Sequence, residues 1–378
     1  MRVYKKAILP HSFEANGIAS GIKKSGKLDL ALFYTRSLAI ASCKFTNNKI
    51  FAAPIKLNKS YLKKNKFFHA VIANSGSANC FTGKKGLKDA QDITRFAVAP
   101  LFCNKEQILV ASTGIIGRRL PVDKIKRAMP GLIAGISRAG IDKAKKAIMT
   151  TDTFVKEITV KFRIGKEIVT ICGVAKGAGM IAPNLATMLA FILTDANITQ
   201  RALDKALGIS VDNSFNCITV DGCMSTNDSV IALANDAAAN DTIGLNKHFN
   251  LFTSALNIVC LELAKMIVRD AEGATKFIRI KVERAKNFTE AKRLALSIAN
   301  SNLFKAAMYG ENPNFGRIVA GIGASGIDVK EKDLRIKLSP LNKKDITVDV
   351  SINRGKSSAI VYTSDLTPEY VKINAEYN

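Results

Sequence analysis

A chain of 378 residues, 47% hydrophobic and 23% charged, carries enough apolar material for a large core spread over two lobes, and its composition excludes a disordered polymer. Its formal charge of +25, from 56 Lys and Arg against 31 Asp and Glu, attracts polyanions nonspecifically. The basic residues are spread along the whole chain, and the densest runs, KKNK (63–66) and KKGLK (84–88), are short and lack interleaved aromatics, so a solvated lysine surface accounts for the charge better than a nucleic-acid interface.

The N-terminal MRVYKKAILPHSFEANG is basic but has no apolar core of signal-peptide length, so a cytoplasmic protein is expected. Residues 12–60 alternate short apolar stretches with small polar turns, as in SGKLDLALFY and SLAIASCKF, and read as strands. HAVIANSGSANCFTG (69–83) reads as a strand entering a Gly/Ser/Asn loop, residues 86–102 as a helix, and QILVASTGIIG (107–117) as a strand ending in a glycine turn. Helical spacing returns over 121–136, disturbed by Pro130. KEITVKFRI (156–164) and EIVTICGVA (167–175) form a hairpin about Gly165.

Gly177 to Thr194 then carry no charge over eighteen residues. Gly177, Gly179, Pro183 and Asn184 would burden a lipid-facing helix, so the run reads as a buried strand–turn–helix rather than a membrane span. Thr199 caps a helix over 200–207, and 256–270 is an amphipathic helix. A strand at 277–284, a helix at 289–300 and the segments LRIKL, ITVDV and SAIVYT complete an α/β or α+β chain without internal repeats.

Several familiar chemistries find no support. GIGASG (321–326) fits GxGxxG, but IDVKEKDLRIKL after it is not a clean helix, so a Gly-rich turn is expected in place of a dinucleotide loop, with Ile318–Ala320 as a candidate strand before it. GxSxG, Walker and HExxH motifs are absent. Seven scattered cysteines without CxxC, and only His11, His69 and His248, favour reduced thiols over disulfides or zinc and leave a Ser–His–Asp triad without a base. An acyl-transfer enzyme could instead use a threonine at a freed chain end, whose own α-amino group is the base. Burial pulls that amine toward neutrality. Ala186-Thr187, preceded by Pro183 and Asn184, suits such a cut; a buried threonine merely hydrogen-bonded to backbone suits the same letters.

KGAGMIAPNLATMLAFILTDA (176–196) resembles the ornithine acetyltransferase / glutamate N-acetyltransferase family of arginine biosynthesis, with NLATMLAF its most specific part. GIKKSGKLDLAL (21–32), ANSGSANCFTG (73–83), STGIIGRRLP (112–121), AIMTTD (147–152), FNCITVDGCMSTNDSV (215–230), EGATKFI (272–278), GENPNFGRI (310–318) and YVKINAEY (370–377) resemble it in the same order. The resemblance implies a layered α/β sandwich of two lobes, shared with Ser-nucleophile aminopeptidases. It implies self-cleavage between Ala186 and Thr187 into an α chain (1–186) and a β chain (187–378) that stay associated as (αβ)2 or larger. Thr187 would carry acetyl from N2-acetylornithine to glutamate in a ping-pong cycle, with acetyl-CoA a further donor in some members and no metal or cofactor. Thr113 and Gly114 would form the oxyanion hole, Lys176 would pair with a substrate carboxylate, Glu272 with a substrate ammonium, and Thr150 or Thr151 and Asn374 would touch substrate.

The sequence departs from the family pattern at Ala178 for Ser, Ala271 for Gly and Asn312 for Asp, and it ends at Asn378, short of a tail Thr or Ser that touches substrate, so that contact is expected to be missing or replaced. Two other readings stand beside this one: an N-terminal-nucleophile aminopeptidase of the same fold, and a basic nucleic-acid-binding protein.

Overall fold

The structure is a computed structural model that describes residues 1–182 and 188–376. The expected cleavage point, Ala186-Thr187, and the preceding Pro183 and Asn184 lie outside the described residues. In chain order the first elements are β1 (Arg2–Tyr4), β2 (Phe13–Ile18), β3 (Leu30–Phe45), α1 (Ala53–Lys64), β4 (Phe67–Ser77), α2 (Gly83–Leu101), β5 (Ile108–Ile115), α3 (Val122–Ala134) and α4 (Ile141–Ala147). Then come β6 (Lys156–Ile164), β7 (Glu167–Lys176), β8 (Leu189–Thr194), α5 (Gln200–Asp212), β9 (Ser229–Ala234) and α6 (Phe249–Arg269). The chain closes with β10 (Phe277–Ala285), α7 (Phe288–Ala299), α8 (Asn302–Tyr309), α9 (Phe315–Gly323), β11 (Arg335–Leu338), β12 (Asp345–Ser351), β13 (Ser357–Ser364) and α10 (Pro368–Ala375).

Two compact units share these elements. The first takes Met1–Gly177, the segment ending at Asn213, and Ser225–Leu263. Among the described residues its sheet has nine strands in the order β1-β6-β7-β8-β9-β3-β4-β5, with β2 added to β3. β8 is hydrogen-bonded antiparallel to β7 and parallel to β9. All six of its residues, LAFILT, are buried, which is why the sequence there is continuously apolar rather than alternating. Phe191 of β8 stacks on Phe33 of β3 with ring centroids 4.5 Å apart. Helices α1 to α4 cover the β2–β5 half of this core, where Ile125, Met129 and Leu132 of α3 are buried. α6 is long and apolar enough to cross a membrane by composition alone, yet it is a packing helix: a Cβ on Gly173 of β7 would lie 2.5 Å from its Val259 side chain.

The second unit takes the segment beginning at Ala178, Ser214–Met224, and the chain from Ala264 onward. Its sheet runs β11-β12-β10-β13, with β10 and β12 parallel. Helix α7 lays Leu294 and Ile298 against Ile278, Ile280 and Val361, and α8 and α9 complete the core with Phe304 and Ile318. Each unit is thus a sheet covered by helices, the layered α/β class that the sequence predicts.

Most predicted elements form: α2, β5, the β6–β7 hairpin turning at Gly165 (φ 60°), and α7. Thr199 caps α5 by accepting from the Ala202 N–H, although the helix continues to Asp212. α3 runs through Pro130. Three expectations are corrected. Residues 12–60 are not all strand, because α1 starts at Ala53; Pro54 in its first turn and inward Ile55, Leu57 and Tyr61 favour a helix. The apolar run leads into strand β8, not a helix; a short uncharged run buried on both faces has no period to separate the two. Ile318–Ala320 is helical, because α9 extends into GIGASG, where Gly321 lets it close on Ile298 Cα; the turn comes only at Gly326 (φ 68°).

Buried Lys305 of α8 supplies a pH test. Its ammonium donates to Thr363 Oγ1 at 3.1 Å and to the Ser364 carbonyl. Burial lowers its pKa to about 8, against the opposing pull of Asp365 and Asp221. The folded value lies below the unfolded one of 10.5, so the unfolded chain holds the proton more tightly and this group adds stability as pH rises from about 8 to 10.5. Urea unfolding of Lys305→Met against the parent should show this increment, on the order of 3 kcal/mol, in the parent alone.

Candidate active site

The predicted site residues fall into two clusters, one in each unit. In the first unit, parallel strands β4 and β5 end side by side at Gly76 and Gly114. Gly114 has φ 128° and Gly76 has φ 102°. A Cβ on Gly114 would lie 2.4 Å from the Gly76 carbonyl carbon, so only glycine allows this backbone corner. A buried amide network braces it. Asn227 Nδ2 donates to the carbonyls of Ala78 (2.6 Å) and Ser112 (2.8 Å). Ser112 Oγ donates to Asn74 Oδ1 at 2.6 Å, and Asn74 Nδ2 to the Ser77 carbonyl at 2.9 Å.

Thr113, between Ser112 and Gly114, is buried, and Lys176 at the end of β7 donates to its hydroxyl oxygen at 3.4 Å. A hydroxyl that accepts from an ammonium keeps its own hydrogen for another acceptor and is polarised toward donating it. Lys176 is thus brought to Thr113, 63 positions earlier in the chain, beside Gly114.

Lys176 lies in a buried set of charges. Asp152 has a fully buried side chain and ion-pairs with Lys156 at 2.6 Å. It also accepts from the Gly177 N–H at 2.7 Å and the Thr150 N–H at 2.9 Å. Burial alone would raise its pKa; Lys176 and Lys156 outweigh that and hold the carboxyl well below the usual range. Lys23 donates to the carbonyls of Leu28 (2.8 Å) and Met149 (2.7 Å), and burial lowers its pKa to about 8. Asp228 is fully buried, and its Oδ1 accepts the Met188 N–H at 2.7 Å. Burial pushes this carboxyl well above the usual range, against the pull of the Met188 N–H and Lys176. Lys23, Lys156 and Lys176 thus lie together with Asp29 and Asp152 in one cluster of charged side chains.

In the second unit, Glu272 lies on the turn after α6, and α10 brings Asn374 to it, with Asn374 Nδ2 donating to Glu272 Oε2 at 2.9 Å. Two glycines make the space: a Cβ on Gly179 would meet Glu272 Oε2 at 2.1 Å, and one on Gly273 (φ 66°) would meet the Tyr370 nitrogen at 2.6 Å. Asp221 ties the parts, accepting from the Met180 and Ile181 N–H groups at 2.6 and 2.9 Å and from the Tyr370 hydroxyl at 3.1 Å. Ala178, one of the departures, is buried and accepts the Glu272 N–H through its carbonyl at 3.1 Å.

Thr150 and Thr151 are both half-buried on the turn that Asp152 holds. Ala186 and Thr187 lie outside the described residues. Asp152, Lys156, Lys23, Asn227 and Asp221 were not singled out from the sequence, although AIMTTD and FNCITVDGCMSTNDSV contain three of them. The cysteines offer no rival nucleophile among groups with shifted thiols: burial pushes Cys172 and Cys260 up to about 12 and Cys103 to about 11, and raises the exposed Cys223 as well.

A layered α/β scaffold that presents a glycine-shaped backbone corner and a lysine-polarised hydroxyl belongs to an enzyme of acyl transfer. The ArgJ family profile matches residues 14–378, and the chain belongs to that family. It is 42% identical to the arginine biosynthesis bifunctional protein ArgJ of Caldanaerobacter subterraneus subsp. tengcongensis over 98% of both chains. It is also 42% identical to that of Geobacter sulfurreducens over 97% of this chain and 98% of the relative. A chain of the ornithine acetyltransferase of Mycobacterium tuberculosis, solved in complex with ornithine, matches at 36% identity and a TM-score of 0.45, covering 49% of this chain and 99% of its own. The protein is an acyltransferase of arginine biosynthesis.

Gly114→Ala should break the corner, since both φ and the contact with Gly76 forbid a side chain. Acetyl transfer by the purified variant should fall by about a hundredfold or more, the usual cost of a displaced oxyanion donor.

Proposed function

We propose that this enzyme cuts itself between Ala186 and Thr187 and then moves acetyl from N2-acetylornithine to glutamate through an acetyl-Thr187 ester. The contact between Lys176 and the Thr113 hydroxyl, beside the Gly114 corner, carries the reading. In the cut, Thr187 Oγ attacks the Ala186 carbonyl, the peptide C–N bond breaks, and water hydrolyses the resulting ester. This frees the Ala186 carboxylate and the Thr187 amine.

In turnover that amine takes the Thr187 hydroxyl proton as Oγ attacks the acetyl carbonyl. Thr113 O–H and Gly114 N–H receive the oxyanion. The acetyl C–N bond breaks, and ornithine leaves with the proton the amine had taken. Glutamate then attacks the ester through its own amine, and the steps run in reverse to regenerate Thr187.

The substrates are zwitterionic amino acids, and the residue types fit them. Lys176, within that lysine-rich cluster, pairs with the α-carboxylate. Glu272, oriented by Asn374, takes the ornithine side-chain ammonium. Thr150 or Thr151 contacts substrate beside Lys176. This pairing favours amino-acid acetyl transfer over peptide hydrolysis. The α and β chains, 1–186 and 187–378, stay together as (αβ)2 or larger in the cytoplasm.

Intact mass spectrometry of the purified protein should find two polypeptides of similar size, with a new N-terminus at Thr187. Thr187→Ala should give one uncut chain without transfer, and acetyl label from N2-acetylornithine should sit on Thr187. Label on any other residue, or an intact active chain, would refute the scheme.

A further inference from the structure

Asp152 has more bonds than a lone structural ion pair needs. Its side chain is fully buried, and its two oxygens tie three separate stretches of the first unit. One holds the Thr150 N–H on the turn after α4. The other holds the Gly177 N–H, immediately after Lys176, and the Lys156 ammonium at the start of β6. Its field acts on Lys176 and, more weakly, on Lys23.

We infer that Asp152 is the positioning residue of the carboxylate-binding side of the site, fixing where Lys176 presents its charge and how the Thr150–Thr151 turn lies beside it. The inference rests on the function proposed above and deepens it. Two arguments separate this role from plain fold stabilisation. Asp152 grips the backbone at two places where the proposed function puts substrate contacts, the Thr150 N–H and the Gly177 N–H next to Lys176. It also sits among three lysines, so it neutralises part of their mutual repulsion without cancelling the charge left for a ligand.

The test is a double-mutant cycle on the self-cleaved enzyme, with Asp152→Asn, Lys176→Ala and both together, reading KM for glutamate and kcat separately. Asp152→Asn should raise KM by about tenfold to a hundredfold, the worth of a charged hydrogen bond, while kcat falls far less. In the Lys176→Ala background the same change should alter KM by less than about twofold, because residues that act through one another are not additive. Unchanged KM in the single variant, or an equal effect with and without Lys176, would overturn the inference. Should the asparagine variant not fold, Asp152→Ser, smaller and still an acceptor for the Thr150 N–H, carries the same expectation. Loss of folding in both would make Asp152 a structural residue and equally end the proposal. A parent enzyme that neither cuts itself nor transfers acetyl would instead count against the function proposed above.

Discussion

The first unit is organised by the two-sided pairing of β8. Leu189–Thr194 is bonded to β7 on one edge and β9 on the other, and every residue of it is buried. A strand so placed cannot slip by one residue without turning its whole side-chain set over, and with neighbours on both sides it cannot shift at all without breaking two ladders. The chain that enters it is held just as firmly, through the Met188 N–H on Asp228. Burying a carboxyl for that purpose is costly unless it is neutral or paired, and the raised pKa of Asp228 is the form that cost takes. The same strand lies two places from β3, which leads on to β4 and β5 and the Gly76–Gly114 corner.

Asp152 in the first unit and Asp221 in the second both tie backbone together, and they differ in what they grip. Asp152 gathers two backbone N–H groups and a lysine; Asp221 gathers backbone N–H groups and the Tyr370 phenol. Burial first, then the Asp221 charge, pushes the Tyr370 phenol well above its ordinary value, so it stays a donor. The neutral phenol ties α10 to Asp221, and Asn374, one turn further along, bonds the Glu272 carboxylate. Asp152 makes a direct ion pair with Lys156, whereas Asp221 accepts from the Tyr370 phenol.

Much of this was legible in the letters. Alternation gave the β6–β7 hairpin, spacing gave α2 and α7, and Thr199 marked the start of α5. The family resemblance pointed to STGIIG, Lys176, Glu272 and Asn374, and the fold brings Lys176 to Thr113 and Asn374 to Glu272. What the letters concealed depends on three-dimensional proximity. Asp152 reads as an ordinary polar residue in a turn until β6 and β7 bring Lys156 and Gly177 to it. Gly114 looks like a turn glycine, whereas its necessity comes from Gly76 on the adjacent strand, almost forty positions earlier. The apolar run misled for the opposite reason: burial on both faces erases the periodicity that distinguishes strand from helix.

The charge of the chain takes on a sharper meaning inside the fold than on its surface. Most of the +25 comes from lysines spread over the surface, where ionic strength screens each beyond about 8–10 Å and where pairs such as Lys88–Asp92 are worth little. Lys156 and Lys176, by contrast, are buried, and charges withdrawn from solvent are screened far less. A carboxylate arriving there meets an ammonium already desolvated and already held, so its own desolvation is the main cost left to offset. On the function proposed above, recognition of an amino-acid carboxylate rests on these buried ammoniums rather than on the large net charge outside.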